Sequence, residues 1–296
     1  MDSLTSYEDL SVDAQRTVQG IRGVEDKMST IQKEFLFARF ELERKWSAKF
    51  QDAYARRLAL LSGQAEATSD EVSRGEKRSR RLDPDYKKLP ASKASKGKAA
   101  TVKKFWLEVL SNSDVGPHIL ESDVHALEHL TNIAISYPQG NTPVFALEFA
   151  FSDNKYFKNS KIMVTYHYSA EVLPSGALRY SHVVADKIHW KPKQNLIEKA
   201  AQADVGDEDE EEGEMSFFSM LQPPAPITVP PRPGKHDDDD EDERESDLEL
   251  TFEFGLTVKE LLLNAVDYFM GDVISDDDDE DEDDDDDWEG YSDNDD

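Results

Sequence analysis

Residues 14–61, AQRTVQGIRGVEDKMSTIQKEFLFARFELERKWSAKFQDAYARRLALL, decide the architecture of this chain. Ala14, Ile21, Met28, Phe35 and Leu42 recur at intervals of seven, and Val24, Ile31 and Ala38 follow the middle members by three. That spacing is the a/d seam of a coiled coil. From Trp46 the apolar positions Phe50, Ala53, Tyr54, Leu58 and Leu61 drift forward in four-residue steps, the pattern of a helix that continues straighter after a stutter. No proline interrupts the stretch, and at about 1.5 Å per residue it predicts a rod of roughly 70 Å. A rod of that length needs a partner along its seam. Two shorter helices broken near Gly20 or Gly23 are the alternative; the heptad crosses both glycines in phase, which favours one helix.

Outward from the rod, charge divides the chain. Residues 1–200 carry 30 Lys and Arg against 26 Asp and Glu, whereas residues 201–296 carry 4 against 38, and the formal net charge is −30. Acidic blocks at 207–212, 237–243 and 276–287 repel themselves and bury no apolar area, which predicts disordered tails and loops there. The absence of cysteine removes disulfides and thiolate metal sites and suits a reducing compartment. No apolar run is long enough to span a bilayer, and the polar N-terminus is unlike a signal peptide.

The predicted organisation is a polar leader (1–9), a long dimerisation helix (10–62), a basic flexible insertion (63–101), an α+β domain (102–271) and an acidic tail (272–296). An acidic loop (201–214) and a Pro-rich acidic spacer (223–247) fall inside the domain. The sharpest basic run, Lys77, Arg78, Arg80 and Arg81 followed by Lys87 and Lys88, reads as a nuclear-import signal, a nucleic-acid patch or a solvated linker. Phe105 to Leu110 suit a short helix, and a second helix is expected from about Ser122, with Val124, Leu127 and Leu130 on one side. The period then changes to two. Phe145, Leu147, Phe149 and Phe151 alternate with Ala146, Glu148 and Ala150, and Ile162, Val164, Tyr166 and Tyr168 repeat the pattern. Arg179 to Trp190 supplies one or two further strands. Helices followed by consecutive strands imply an antiparallel sheet covered by helices on one face. Met215 to Leu221 is an apolar patch that should pack on the domain. Thr257 with Glu260, and Leu256 with Leu261, read as a capping box and staple opening a last helix that stops at Gly271.

These pieces resemble a known family in their order. Phe40-Glu41-Leu42-Glu43-Arg44-Lys45-Trp46, then Lys104-Phe105-Trp106-Leu107, Phe145 to Phe151, Asn154 to Asn159, Ile188-His189-Trp190-Lys191, Ser216-Phe217-Phe218, Ala265 to Phe269 and the acid tail follow the succession found in nucleosome assembly proteins. The resemblance implies a homodimeric histone chaperone with an earmuff-shaped α+β domain at each end of a helical rod, located in the nucleus and shuttling with the cytoplasm. Two departures stand out. The basic β-hairpin of long-form members is replaced by a short, acid-ending stretch at Gln194 to Glu214, which resembles the SET branch. The insertion after the rod and the Ala265 to Phe269 helix look more like the nucleosome assembly branch, to which the chain is closer.

On that reading the partners are core histones, a second copy of the chain and import receptors, with DNA contacted only indirectly or weakly through the basic insertion; no membrane is involved. The expected folded acidic surface consists of Glu121, Asp123 and Glu128 on the second helix with Glu148 and Asp153 from the strands. Asp276, Asp277, Asp278, Asp279 and Glu280 extend it into the tail, where Trp288 and Tyr291 are candidates to anchor on an apolar pocket of the histone. The alternative function is an acidic, calcium-buffering or generic polyanionic scaffold. No phosphate-cradling glycine loop, GxSxG elbow or EF-hand spacing occurs, and His125 and His129, four apart on a helix with His118 or Glu121 as candidate companions, have no clear third and fourth ligand, so neither enzyme chemistry, metal nor cofactor is expected. Ser246 and Ser275 precede acids and are candidate phosphorylation sites.

Overall fold

In the computed structural model, which describes residues 6–90, 99–203, 215–222 and 238–271, α1 runs unbroken from Val12 to Leu61. Its 50 residues span about 75 Å, with Gly20 and Gly23 inside it. Ser11 caps the start by accepting from the Ala14 N–H, and Gly63, at φ +68°, ends it. The helix has two apolar faces. Leu36 and Phe40 are buried against the domain, Phe40 edge-on to Tyr168 at 5.1 Å. The heptad face is bare: Ile21, Val24, Met28, Ile31, Phe35 and Leu42 are 53–66% exposed, Ala38 is exposed and Ala14 is half-buried.

The segment expected to be a flexible basic insertion contains a helix, α2 (Ser69–Leu82). The reason is a start signal passed over in the sequence: Thr68 Oγ1 accepts from the Glu71 N–H while the Glu71 carboxylate accepts from the Thr68 N–H, a complete capping box. Arg56 of α1 grips Glu71 with two hydrogen bonds of 2.8 Å, and this holds the Glu71 carboxyl down at about 2. The excursion closes on itself, since the Val102 N–H donates to the Leu61 carbonyl.

Beyond it, α3 (Phe105–Ser111) buries Phe105, Trp106, Leu107, Val109 and Leu110. α4 (Glu121–Leu127) begins one residue before the expected Ser122, and Leu130 belongs not to this helix but to a strand, β1 (Leu130–Ser136), that the sequence reading lacked. β1, β2 (Val144–Phe151), β3 (Lys161–Val172) and β4 (Leu178–Ala185) form one antiparallel sheet in sequence order. Phe145 pairs with Tyr166, Leu147 with Val164 and Phe149 with Ile162, so the expected apolar alternation points to one face. That face meets α3 and α7 (Asp238–Met270) across Trp106, Phe252, Phe254, Val258 and Leu261, completing the expected α+β layer. The opposite, more open face carries Ala134, Glu148 and Thr165 beside the exposed Met163 and Val184, with the His167 and His182 rings stacked at 4.3 Å. α5 (Leu196–Ala203) and α6 (Phe217–Met220) close one end, where Phe218 packs on Phe151, Phe157 and Trp190.

α7 corrects two further expectations. The helix does not start at Thr257, and residues 238–247 are helical where a spacer is expected. Burial outweighs the local cap signal: Thr251, Phe252, Gly255, Val258, Leu262 and Ala265 already follow helical spacing into the core from well before Thr257. Gly255 permits this close approach, because a Cβ there would lie 2.4 Å from the Tyr166 ring. The helix breaks at Asn264, and Arg57 of α1 donates at 2.6 Å to the Leu262 carbonyl just before the break. Gly271, at φ +74°, ends the described helix as expected. Among the described residues no helix is long and apolar enough to cross a membrane, and no group of three or more His, Asp or Glu is arranged to hold a metal.

Candidate functional site

Five carboxylates of the folded domain are expected to form an acidic surface, and the structure places them in three different situations. Glu121 and Asp153 are exposed. Glu128 accepts from Lys104 Nζ at 2.8 Å, with His125 Nδ1 at 3.5 Å, and the Lys104 hydrogen bond pulls its carboxyl below the usual range. Glu148 lies on the open face of the sheet and accepts from Lys161 Nζ at 2.7 Å. Glu128 and Asp153 flank one corner, where the His129 carbonyl accepts from the Ser152 N–H at 2.9 Å; Glu121 stands at the far end of α4.

Asp123 is a correction. It is 0% exposed, so no partner can reach it. Its Oδ1 accepts from Ser216 Oγ and its Oδ2 from the Phe217 N–H, both at 2.8 Å, and Oδ2 also accepts from the Leu120 N–H at 3.4 Å. Burial pushes its carboxyl above the ordinary aspartate range, against the pull of those hydrogen bonds. Asp123 is an internal clamp between α4 and α6.

The acids that the sequence reading missed are on α7. Glu249, Glu253 and Glu260 are exposed, and their spacing of four and seven puts them on one stripe. Beside the stripe is a cleft of about 440 Å³ lined by Asp114, Val115, Met220, Phe254, Glu253 and Glu260 among others, with acids on its rim and apolar side chains beneath. The signal was present as glutamates in phase with the Phe252/Val258 face, hidden by starting the helix at Thr257. A second cleft of about 450 Å³ lies along α1 between Leu42, Trp46, Phe50, Tyr54 and Tyr137, and Leu263 of α7. It continues the bare heptad face.

The basic run is split by α2. Lys77, Arg78, Arg80 and Arg81 lie on the helix, with Arg78 Nε donating at 3.3 Å to Asp267 of α7, and Lys87 and Lys88 are exposed beyond it. Asp276, Asp277, Asp278, Asp279, Glu280, Trp288 and Tyr291 lie outside the described residues.

A long helix with an uncovered apolar seam, carrying a helix-covered antiparallel sheet with an acidic rim, defines a helical-rod α+β protein. Comparison with known proteins gives the family. The nucleosome assembly protein (NAP) family profile matches residues 16–272, and the chain belongs to that family. A Schizosaccharomyces pombe relative described as a nucleosome assembly protein is 32% identical over 191 residues, covering 64% of this chain and 47% of its own length. Nucleosome assembly protein 1;2 of Nicotiana tabacum is 28% identical over 284 residues, 91% of this chain and 69% of its own. The chain thus spans about half the length of the first of these relatives. Among solved structures, nucleosome assembly protein 1 from Plasmodium knowlesi superposes with a TM-score of 0.52 at 20% identity, covering 90% of this chain and all of that one. That likeness establishes the fold.

Proposed function

We propose that this protein is a homodimeric histone chaperone that binds core histones through its acidic surface, shields them from non-specific DNA contact and delivers them for nucleosome assembly and disassembly. The observation that carries the reading is the Glu249, Glu253 and Glu260 stripe beside an apolar-floored cleft, in a chain whose residues 201–296 hold 38 acids. The polyanionic sequence attracts basic histones over a Debye length of about 8 Å at physiological salt and raises the encounter rate. The α7 stripe, with Glu121 and Asp153, gives the bound histone an orientation that a tail alone lacks. Glu128 and Glu148 contribute less, each already paired to a lysine. Trp288 and Tyr291 anchor on an apolar histone pocket while flanking acids hold basic side chains. DNA, a denser polyanion, displaces the chaperone by competing for the same cations.

Dimerisation uses Ala14, Ile21, Val24, Met28, Ile31, Phe35, Ala38 and Leu42, because a face this apolar and this exposed is stable only when covered. The protein works in the nucleus and shuttles with the cytoplasm, the Lys77 to Lys88 run serving an import receptor. Binding of purified core histones to the full chain, to a chain ending at Gly271 and to a Glu249→Gln/Glu253→Gln/Glu260→Gln variant of each, at physiological and raised salt, tests this. The truncated chain is expected to retain specific binding and lose it with the triple substitution. Binding that vanishes with the tail alone, or equal retention of calcium and histone by the tail, refutes the folded site and returns the protein to a polyanionic scaffold.

A further inference from the structure

The helix α2 presents two unlike faces. Its acids are engaged locally: Glu71 by Arg56 and its own cap, Glu76 buried and accepting from the Leu89 N–H at 2.9 Å, Asp70 paired with Arg74 at 2.9 Å. Outward, Arg74, Lys77, Arg78 and Arg81 fall at spacings of three and four, which puts them on one stripe about 100° wide. The Asp70–Arg74 pair is more than 70% exposed on both sides and so offsets little of that charge. Arg78 alone in the stripe reaches a partner on another described element, Asp267 in the last turns of α7. Asp267 is four residues from Gly271, where the described helix ends. Asp272 follows at once, and residues 276–287 are twelve consecutive acids.

We propose that residues 272–296 dock on the outer face of α2, extending along Arg74, Lys77, Arg81, Lys87 and Lys88 the ion pairing that Asp267 begins. Reach is not limiting: four residues cover about 13 Å, and α2 is only about 20 Å long. Charge is matched, since the tail holds 17 acids in 25 residues and no Lys or Arg. Tethering at Gly271 supplies an effective concentration in the millimolar range, enough to hold a weak, salt-sensitive contact closed. The docked tail neutralises the basic run. A basic macromolecule that takes the tail uncovers that run, so its availability to an acidic receptor or to nucleic acid reports whether the tail is occupied. The contact goes beyond the chaperone reading and does not depend on it.

A labelled peptide of residues 272–296, added to the chain ending at Gly271, tests the docking by fluorescence anisotropy at low and physiological salt. Arg74→Glu/Lys77→Glu/Arg81→Glu should weaken binding by about tenfold or more, and the gentler Gln triple, which keeps helix propensity, should weaken it by less. Arg78 is left in place so that the pair with Asp267 survives. The rival site is the lysine-lined cleft of about 900 Å³ at α5, so Lys187→Glu/Lys193→Glu/Lys199→Glu is the control and should leave binding within twofold. In the intact chain, amine acylation followed by mass spectrometry should find Lys77 less reactive than in the truncated chain. Undiminished binding by both α2 triples, loss confined to the α5 control, or equal Lys77 reactivity in the two chains overturns the proposal.

Discussion

Asp123 is where a functional reading of a carboxylate and a structural one give opposite results, and Asp123→Ala with Asp123→Asn separates them. In the native chain the carboxylate satisfies Ser216 Oγ–H and the Phe217 N–H at 2.8 Å each, with both donors buried. Truncation to Ala leaves the Phe217 amide without an acceptor, which costs about 1–3 kcal/mol, and forfeits a charge-assisted bond from Ser216 worth a comparable amount. Some of that is returned, because burying the ionised carboxylate is itself costly, as its raised pKa shows. The net expectation for Ala is a loss of about 2–4 kcal/mol, a large fraction of an ordinary domain's stability. Asn keeps an oxygen for the Phe217 N–H and offers its amide to a Ser216 hydroxyl that turns to accept; its cost is about 1 kcal/mol.

Urea unfolding of the three proteins followed by circular dichroism, beside histone binding at matched folded concentration, reads both roles. The internal clamp predicts Ala much worse than Asn in stability and no loss of binding in the folded Asn variant. The pH dependence has a definite sign. A carboxyl whose folded pKa lies above its unfolded value stabilises fully below the unfolded pKa and loses that contribution as pH rises through the folded one. The parent should therefore gain on the Asn variant as pH falls from neutrality toward 4. If Ala and Asn unfold within about 0.5 kcal/mol of the parent and weaken histone binding equally, Asp123 faces the ligand and the clamp is wrong.

Two other expectations follow from exposed or paired groups. Phe35→Asp with Leu42→Asp removes two seam side chains per protomer, each worth about 2 kcal/mol when covered, so sedimentation velocity should show monomers; a persisting dimer refutes the seam. His167 is held below the ordinary histidine value by burial and then by the stacked His182, so its contribution to stability is present above pH 6.5 and is lost as pH falls through its folded pKa. His182→Asn should flatten the stability loss between pH 7 and 5, and an unchanged slope would show that the stacked ring does not hold His167 down.

The rod and the central strands were legible because each writes a single period over many residues. Ala14 to Leu42 repeat by seven through two glycines, and the helix runs unbroken across both; Phe145 to Phe151 and Ile162 to Tyr168 repeat by two, and there local pattern and burial agree. What was misread had two signals in competition. Thr257 and Glu260 make a start signal of real quality, yet Phe252 and Phe254 are buried on the sheet, and continuing the helix through Thr257 places them there at no further cost. β1 reads as the tail of α4 because Leu127 and Leu130 also fit a helical face; only its pairing with β2, from Leu130 with Phe151 to Ser136 with Ala146, decides otherwise. α2 was lost to composition, since a basic, Ser-rich segment looks unstructured until Arg56 is seen to hold Glu71.

The same competition explains the acidic surface. A carboxylate's role is fixed by what faces it, and sequence position alone does not show that. Asp123 and Glu121 are two residues apart on a helix of seven, yet one points into the core beneath α6 and the other into solvent. Glu148 meets Lys161 diagonally across the ladder, two residues along from its own partner Met163, only because β2 and β3 pair in that register. Glu249, Glu253 and Glu260 become one surface only if α7 is one helix across Thr257. The acids that point outward in line, with no ion pair among the described residues, are therefore those whose helix is fixed by buried aromatic residues on its other side: Phe252 and Phe254 hold α7 to the sheet, and in doing so set the direction of its charge.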